Sequence, residues 1–572
     1  MKKFFLLIAF GLIFFTSNAQ YVVFKYRVTF ADKNNSPYSI ENPSQYLSER
    51  AIERRNRQNI SIQLNDIPVN SWYIDSVRNT GALVLTISKW FNCITIQTTD
   101  TAVISKIHSF SFVSDIDSLA ETSVKKGVKL KKRKDTMEGS LSIGLDGNPE
   151  NTDASFTQPE SMLSTGRYNY GNGYTQAHMI GTDFLHDLGF CGQGMVIAVL
   201  DAGFFSVNSI PVFDSLWQNN QILGTKDFVE PGGNVFTRST HGMMVLSIMG
   251  GNSPGNLIGT APKAKYWLLR SEDADSEYPV EEDNWVAAAE FADSVGADVI
   301  NSSLGYTDFF NSDWDHTYAE MNGKIARSTL GAEIASSKGL LVVNSAGNSG
   351  NNDWHYIGAP ADAENIITVG AVDHSGKIAS FSSRGPTFDG RVKPTVCALG
   401  EGTFVSSSAG TITSGNGTSF SSPVMAGSVA CLWQANREKS NLKIIEAVTA
   451  SASRFLDPDA NYGYGIPNLA AANIILKGDA IHNFDNENAL TVFPNPFTDN
   501  FQIVFYSNDT SSVDIQIIDL SGKVVYEKND ISRNPGCNNI SFLFADELAK
   551  GYYMLKVISQ KNTYTTKIMK LQ

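Results

Sequence analysis

MVIAVLDAG, residues 195–203, decides the fold: six apolar residues run unbroken into Asp201, and Ala202-Gly203 then lets the backbone turn sharply. A run of that kind, closed by turn residues, reads as a strand buried on both faces. Similar runs recur at Tyr266–Leu269, Asp298–Ser302, Leu340–Val343 and Ile366–Val369. Helical patterns separate or follow them at Val286–Val295, Leu330–Lys338 and Ser421–Gln434. This alternation predicts an α/β domain over residues 174–478, with a parallel sheet covered by helices on both faces. Functional groups in such sheets collect at the carboxyl ends of the strands.

The flanks read differently. Lys2 and Lys3 precede an apolar stretch from Phe4 to Phe15, and Ser17-Asn18-Ala19 offers small residues for cleavage, so residues 1–19 read as a signal peptide. That stretch is short for a bilayer, and no transmembrane segment is expected after its removal. Residues 20–124 mix β runs (Tyr21–Phe30, Ala82–Ser88, Asn92–Thr98) with a helical stretch at Gln45–Arg57, a small α/β unit. Residues 125–173 are polar, rich in Gly, Ser and Asn, and aperiodic, which predicts an exposed linker. Residues 479–572 carry seven short β segments between Leu490 and Leu571, and Val513, Ile515 and Ile517 alternate with polar neighbours. That pattern predicts a small antiparallel sandwich.

Net charge is −13, unevenly placed. Residues 20–140 hold 17 Lys and Arg against 12 Asp and Glu, leaving −20 on residues 141–572. An acidic main body argues against nucleic acid as a partner, and a basic leading segment can be attracted to it. The five cysteines are sparse and odd in number for an exported chain, so packing rather than a disulfide framework must stabilise it. Cys397 and Cys431 flank the serine motif and could pair, but buried free thiols are the expectation. No metal-ligand spacing is visible among Cys and His, and the acidic stretch Glu272–Asp283 has no recognisable ligand pattern.

Four polar side chains fall at positions where chemistry is plausible. Asp201, at a strand's carboxyl end, can accept from an imidazole nitrogen and fix its tautomer. His241 opens the run HGMMVLSIMG (241–250), with Thr240 as the expected N-cap, and a helix N-terminus disfavours a protonated resting ring. Ser419 lies in NGTSFSSPVMAG (416–427), where Pro423 is expected in the first helical turn. Asn348 sits in NSAGNSG (344–350), a glycine-rich turn after another strand, and its amide can donate to an oxyanion. Taken singly, each also fits a bland role: an acid ending a strand, a structural histidine, an N-cap serine, a Gly-Asn turn.

Together, in the order Asp, His, Ser, the segments resemble those of the subtilisin-like (subtilase) serine endopeptidases. The stretch Gly417–Gly427 is similar to that family's serine signature at every constrained position, whereas Leu246 stands where a small residue is usual. The resemblance implies a catalytic set of Asp201, His241, Ser419 and Asn348. It implies substrate-backbone pairing by Ser303-Leu304-Gly305 and a primary-pocket edge at Ser345-Ala346-Gly347. It also implies a cis bond before Pro360. LSERAIERR (47–55) and SKWFNCITI (88–96) are similar to propeptides of secreted subtilases, which act as folding chaperones and intramolecular inhibitors. FPNPF (493–497), DLSGKVV (519–525) and LAKGYYMLKV (548–557) resemble the sorting domain of type IX secretion cargo.

The implied protein is a zymogen of a secreted serine endopeptidase acting on protein or peptide substrates. It would be passed through the type IX machinery to the outer surface or surroundings of a Gram-negative cell. No cofactor is called for, although calcium is frequent in the family. Two other activities use or lose the same machinery: an acyl-enzyme esterase or peptide-ligating transferase, and a catalytically dead surface-binding protein.

Overall fold

In a computed structural model, the structure describes residues 21–124, 167–477 and most of 490–571, except short stretches at 494, 498–500, 508–511, 533–535, 543–547 and 560–562. The predicted signal peptide and nearly all of the predicted linker lie outside the described residues.

The central domain is built on a seven-stranded sheet. Its order is Val396–Leu399, Ile367–Val372, Leu341–Ser345, Val299–Ser302, Val196–Asp201, Lys265–Arg270, Ile222–Asp227, and every neighbouring pair is parallel. All five runs read as strands from the sequence are there. The two outermost strands were not anticipated.

Val196–Asp201 shows why a continuous apolar run was required, since side chains alternate between faces and both faces are covered. Ile197 and Val199 enter the core that holds the helices His241–Gly250 and Thr418–Ala435. Val196, Ala198 and Leu200 point the other way, onto Trp285 and Val286 of the helix Val280–Ser294 and Ala332 of the helix Arg327–Ser337. From Thr418 to Trp433 every residue of the serine-bearing helix is buried, and the hydroxyls it carries are hydrogen-bonded inside the domain.

The leading domain is a four-stranded antiparallel sheet, ordered Leu83–Ser88, Cys93–Thr98, Tyr21–Phe30, Val113–Val124, with a core around Val28, Ile94, Ile96 and Val77. It rests on the helix Val280–Ser294. Leu119 and Ala120 pack against Tyr278 and Val280, and Tyr278 donates to the Glu121 carbonyl at 3.1 Å. Packing of the central domain starts before residue 174: Tyr170 is buried, and its hydroxyl lies 2.6 Å from His186 Nδ1.

The last domain is two antiparallel sheets. One is ordered Leu490–Phe493, Phe501–Ser507, Gly536–Phe542; the other is Val524–Ile531, Val513–Asp519, Gly551–Ile558, Thr563–Lys570. Val513, Ile515, Ile517, Leu555 and Val557 fill the core between them. Among the described residues no helix is long and apolar enough to cross a membrane.

Candidate active site

Asp201 is fully buried at the carboxyl end of its strand. Its Oδ1 accepts from the Ala202 amide at 2.8 Å and lies 2.8 Å from His241 Nδ1. A carboxylate only accepts, so Nδ1 carries the proton and Nε2 is the basic nitrogen of the neutral ring. The expected cap at Thr240 makes no side-chain bond; Ser239 Oγ accepts from the His241 amide at 3.1 Å instead. A Cβ on Gly242 would run into the Gly203 carbonyl oxygen and lie 2.8 Å from Asp201 Cβ, so only glycine lets this helix start so close to Asp201. Leu246 is fully buried in the core shared with the serine helix.

The serine helix begins at Thr418, so Pro423 is its sixth residue and not in the first turn as the sequence suggested. Proline has no amide hydrogen, and the carbonyl that loses its intrahelical donor is that of Ser419, four residues earlier. Ser303 Oγ donates to that oxygen at 2.9 Å. In return Ser419 Oγ donates to the Ser303 carbonyl at 3.3 Å. The nonlocal bond supplies the donor that the proline cannot. Phe420 stacks near the imidazole of His241, with ring centroids 6.3 Å apart, so the starts of the two helices are neighbours.

Asn348 follows the strand Leu341–Ser345 and turns toward Thr418. Its Oδ1 accepts from the Thr418 amide at 2.8 Å and the Thr418 hydroxyl at 2.9 Å. The Thr418 amide needs an acceptor, which fixes the orientation of the Asn348 carboxamide. Thr418 Oγ1 in turn accepts from the Gly347 amide at 3.1 Å.

Ser303, Leu304 and Gly305 leave the strand Val299–Ser302 at the same rim, and the Leu304 carbonyl accepts from Asn344 Nδ2 at 3.1 Å. Ser345, Ala346 and Gly347 are buried, and the Ala346 amide donates to the Val369 carbonyl at 3.0 Å. The Ala359-Pro360 bond is cis. All ten candidate residues therefore stand at or just beyond the carboxyl ends of adjacent parallel strands, or on the helices facing those ends.

A family profile described as the subtilase family matches residues 192–465, the stretch that contains every one of these residues. The central domain is a subtilase.

Two further profiles match: a peptidase S8 propeptide domain of Bacteroidota at residues 25–136, and a secretion-system C-terminal sorting domain at 491–571. Subtilisin E of Bacillus subtilis is 29% identical over 292 residues, which cover 50% of this chain and 68% of that protein. Subtilisin of Bacillus pumilus is 28% identical over 292 residues, 50% of this chain and 94% of that protein. Among solved structures, MycP1 from Mycobacterium smegmatis is similar at 22% identity and a TM-score of 0.41, over 52% of this chain and 84% of that one. The chain is a subtilisin-family serine endopeptidase with a propeptide and a type IX sorting tail. It is secreted or displayed at the outer surface.

Beside the subtilase rim, folding assembles acids that looked unrelated in the sequence. Glu272, Glu277 and Glu281 each bring a carboxylate oxygen within 4.8 Å of the others, the one group of potential metal ligands among the described residues. Oxygen donors of this type suit calcium. Burial first, then the charge of Glu277 on Glu272 and of Glu272 and Glu277 on Glu281, raises both carboxyls well above the usual carboxylate range. Tyr306 donates to Glu272 at 3.1 Å, and Ser276 Oγ to Glu281 at 3.0 Å.

Four cysteines, Cys93, Cys191, Cys397 and Cys431, are buried free thiols; the Cys537 side chain lies outside those described. The sequence reading missed Thr418 and the Ser303 hydroxyl as positioning groups. It anticipated that the basic leading segment is drawn to the acidic body but not which acids receive it: Asp283, Glu290 and Asp293, spaced seven and three apart on one face of their helix, meet Arg27 at 2.6 Å, the Lys89 amide at 2.7 Å and Arg54 at 2.5 Å.

Proposed function

We propose that this subtilase cleaves peptide bonds through an acyl-enzyme. His241 Nε2 takes the proton of Ser419 Oγ as that oxygen attacks the scissile carbonyl carbon. Asp201 holds the imidazole orientation and supports the imidazolium. The Ser419 amide and the Asn348 side-chain amide donate to the oxyanion. Collapse of the tetrahedral intermediate breaks the C–N bond, and His241 returns its proton to the departing amine. Water then repeats the sequence on the ester, releasing the acid and Ser419.

The observation that carries this reading is the 2.8 Å contact of His241 Nδ1 with buried Asp201, in a helix whose start neighbours that of the Ser419 helix. The substrate is an extended peptide laid along Ser303–Gly305, with its side chain directed toward Ser345–Gly347, a form of strand addition that favours backbone recognition. The propeptide acts as the intramolecular inhibitor.

The reading is tested with a fluorophosphonate probe and mass spectrometry on the processed enzyme. A single adduct on Ser419, absent in Ser419→Ala together with casein hydrolysis, is the expected result. Labelling elsewhere with hydrolysis intact in Ser419→Ala overturns it.

A further inference from the structure

The strand Lys265–Arg270 ends beside Asp201. The two strands run parallel with Arg270 opposite Asp201, and the Ser271 amide donates to the Asp201 carbonyl at 3.0 Å. Arg270 is buried, and a guanidinium withdrawn from water needs its charge matched and its N–H groups accepted. Groups at the same rim meet both needs. Nη1 lies 3.0 Å from Asp227 Oδ2 and 3.3 Å from Oδ1, and Nη2 donates to Asp273 at 3.4 Å. The remaining donor, Nε, goes to the Ala202 carbonyl at 3.2 Å.

That last bond bears on the active site. Ala202 follows Asp201, and its amide donates to Asp201 Oδ1, the oxygen that faces His241 Nδ1. Ala202 is thus tied by its amide to the carboxylate and by its carbonyl to Arg270, and it has no polar side chain to brace the turn from within. The next carbonyl, that of Gly203, is the one against which Gly242 packs, where a Cβ would lie 2.4 Å away. One turn therefore sets both the Asp201 carboxylate and the start of the His241 helix. Asp227 is itself held in place. Its Oδ1 accepts from the Val229 and Glu230 amides at 3.0 and 2.8 Å, and a Cβ on Gly233 would lie 2.4 Å from its Oδ2. The last residue of the edge strand Ile222–Asp227 thus fixes the guanidinium.

We propose that Arg270 is a positioning residue for catalysis: anchored by Asp227, it holds the Ala202 carbonyl and, through that residue, the Asp201 carboxylate that orients His241. The inference rests on Asp201 and His241 acting as the reading above has them act. Lysine would keep the charge facing Asp227, but its single ammonium group cannot also donate from the Nε position. Because Arg270 works through His241 and not on the substrate, its loss belongs in kcat and not in KM.

The test compares Arg270→Lys with the parent, both as processed enzyme, on an oligopeptide amide. The kcat should fall by about tenfold or more while KM changes by less than about twofold, at an unfolding temperature close to the parent's. A second readout uses the full-length Ser419→Ala chain with isotope-labelled histidine. The low-field Nδ1 proton of His241, assigned by its loss in His241→Gln, should exchange with water faster in Arg270→Lys. A residue that served folding alone would move neither. Asp227→Asn keeps the side-chain shape and loosens the guanidinium, and it carries the test where Arg270→Lys does not fold. It should lower kcat in the same way, and the double variant should be no slower than Arg270→Lys. A parent without Ser419-dependent hydrolysis would fail the catalytic reading itself. An active parent whose variants keep kcat within about twofold, lose activity through KM, or leave the His241 proton unchanged overturns the positioning role alone.

Discussion

Ser303 and Ser419 are bonded in both directions: the Ser303 hydroxyl donates to the Ser419 carbonyl at 2.9 Å, and the Ser419 hydroxyl donates to the Ser303 carbonyl at 3.3 Å. The first bond exists because Pro423 cannot supply the helical donor, so the two residues join a strand end to the first turn of the buried helix. Ser303→Ala should leave the Ser419 carbonyl unsatisfied and cost about 1–3 kcal/mol. In a Pro423→Ala background an amide is available for the same oxygen, and that cost should shrink. Thermal unfolding of the four chains in a double-mutant cycle measures the coupling; additive effects would show that Pro423 is not why Ser303 matters.

Asp201 sets the tautomer of His241. Asp201→Asn is nearly isosteric, but its carboxamide can offer an N–H to Nδ1 and so move the ring proton to Nε2, where it blocks base function. Peptide turnover should fall by about 10⁴ with little change in unfolding temperature. A turnover loss under tenfold would remove Asp201 from the scheme.

The Val196–Asp201 strand and its neighbours were legible because strands covered on both faces must be apolar at every position. The edge strand Ile222–Asp227 was not, because its burial alternates and Thr225 and Lys226 are exposed. Pro423 was misplaced for a related reason: its tolerance depends on Ser303, 120 residues away in the chain, and no local pattern carries that information. The places of Asp201, His241 and Ser419 were legible since each announces itself by a strand end or a helix start. Thr418 was hidden inside a motif in which the neighbouring serine drew the chemistry.

His316 makes stability depend on pH. Its Nε2 lies 3.0 Å from Glu282 and its Nδ1 3.3 Å from Glu320. Burial alone lowers its pKa, but the hydrogen bond and charge of Glu282, helped by Glu320, raise it from 6.5 to about 9. A raised folded-state pKa means that the folded chain holds the proton more tightly than the unfolded chain. The contribution is therefore complete below about pH 6.5 and is lost as pH rises through about 9, amounting to about 3 kcal/mol at most. His316→Gln should unfold at lower temperature at pH 6 and flatten the decline between pH 6.5 and 9. An unchanged slope in that window would assign the decline to other groups.

Thr418 should act on catalysis only through Asn348. Its amide and hydroxyl both donate to Asn348 Oδ1, and its hydroxyl also accepts from Gly347, so one side chain fixes the carboxamide and the turn that carries it. Asn348→Leu removes the proposed oxyanion donor itself and should lower kcat by about 10²–10³ with KM little changed. Thr418→Val keeps the shape and the backbone amide but loses both hydroxyl bonds; kcat should fall by a smaller factor, about tenfold, again with KM little changed. If Thr418 only positions Asn348, the double variant should be no slower than Asn348→Leu alone. Multiplicative losses in the double variant would instead give Thr418 an effect of its own on the transition state, and the oxyanion site would have to be redrawn around its hydroxyl.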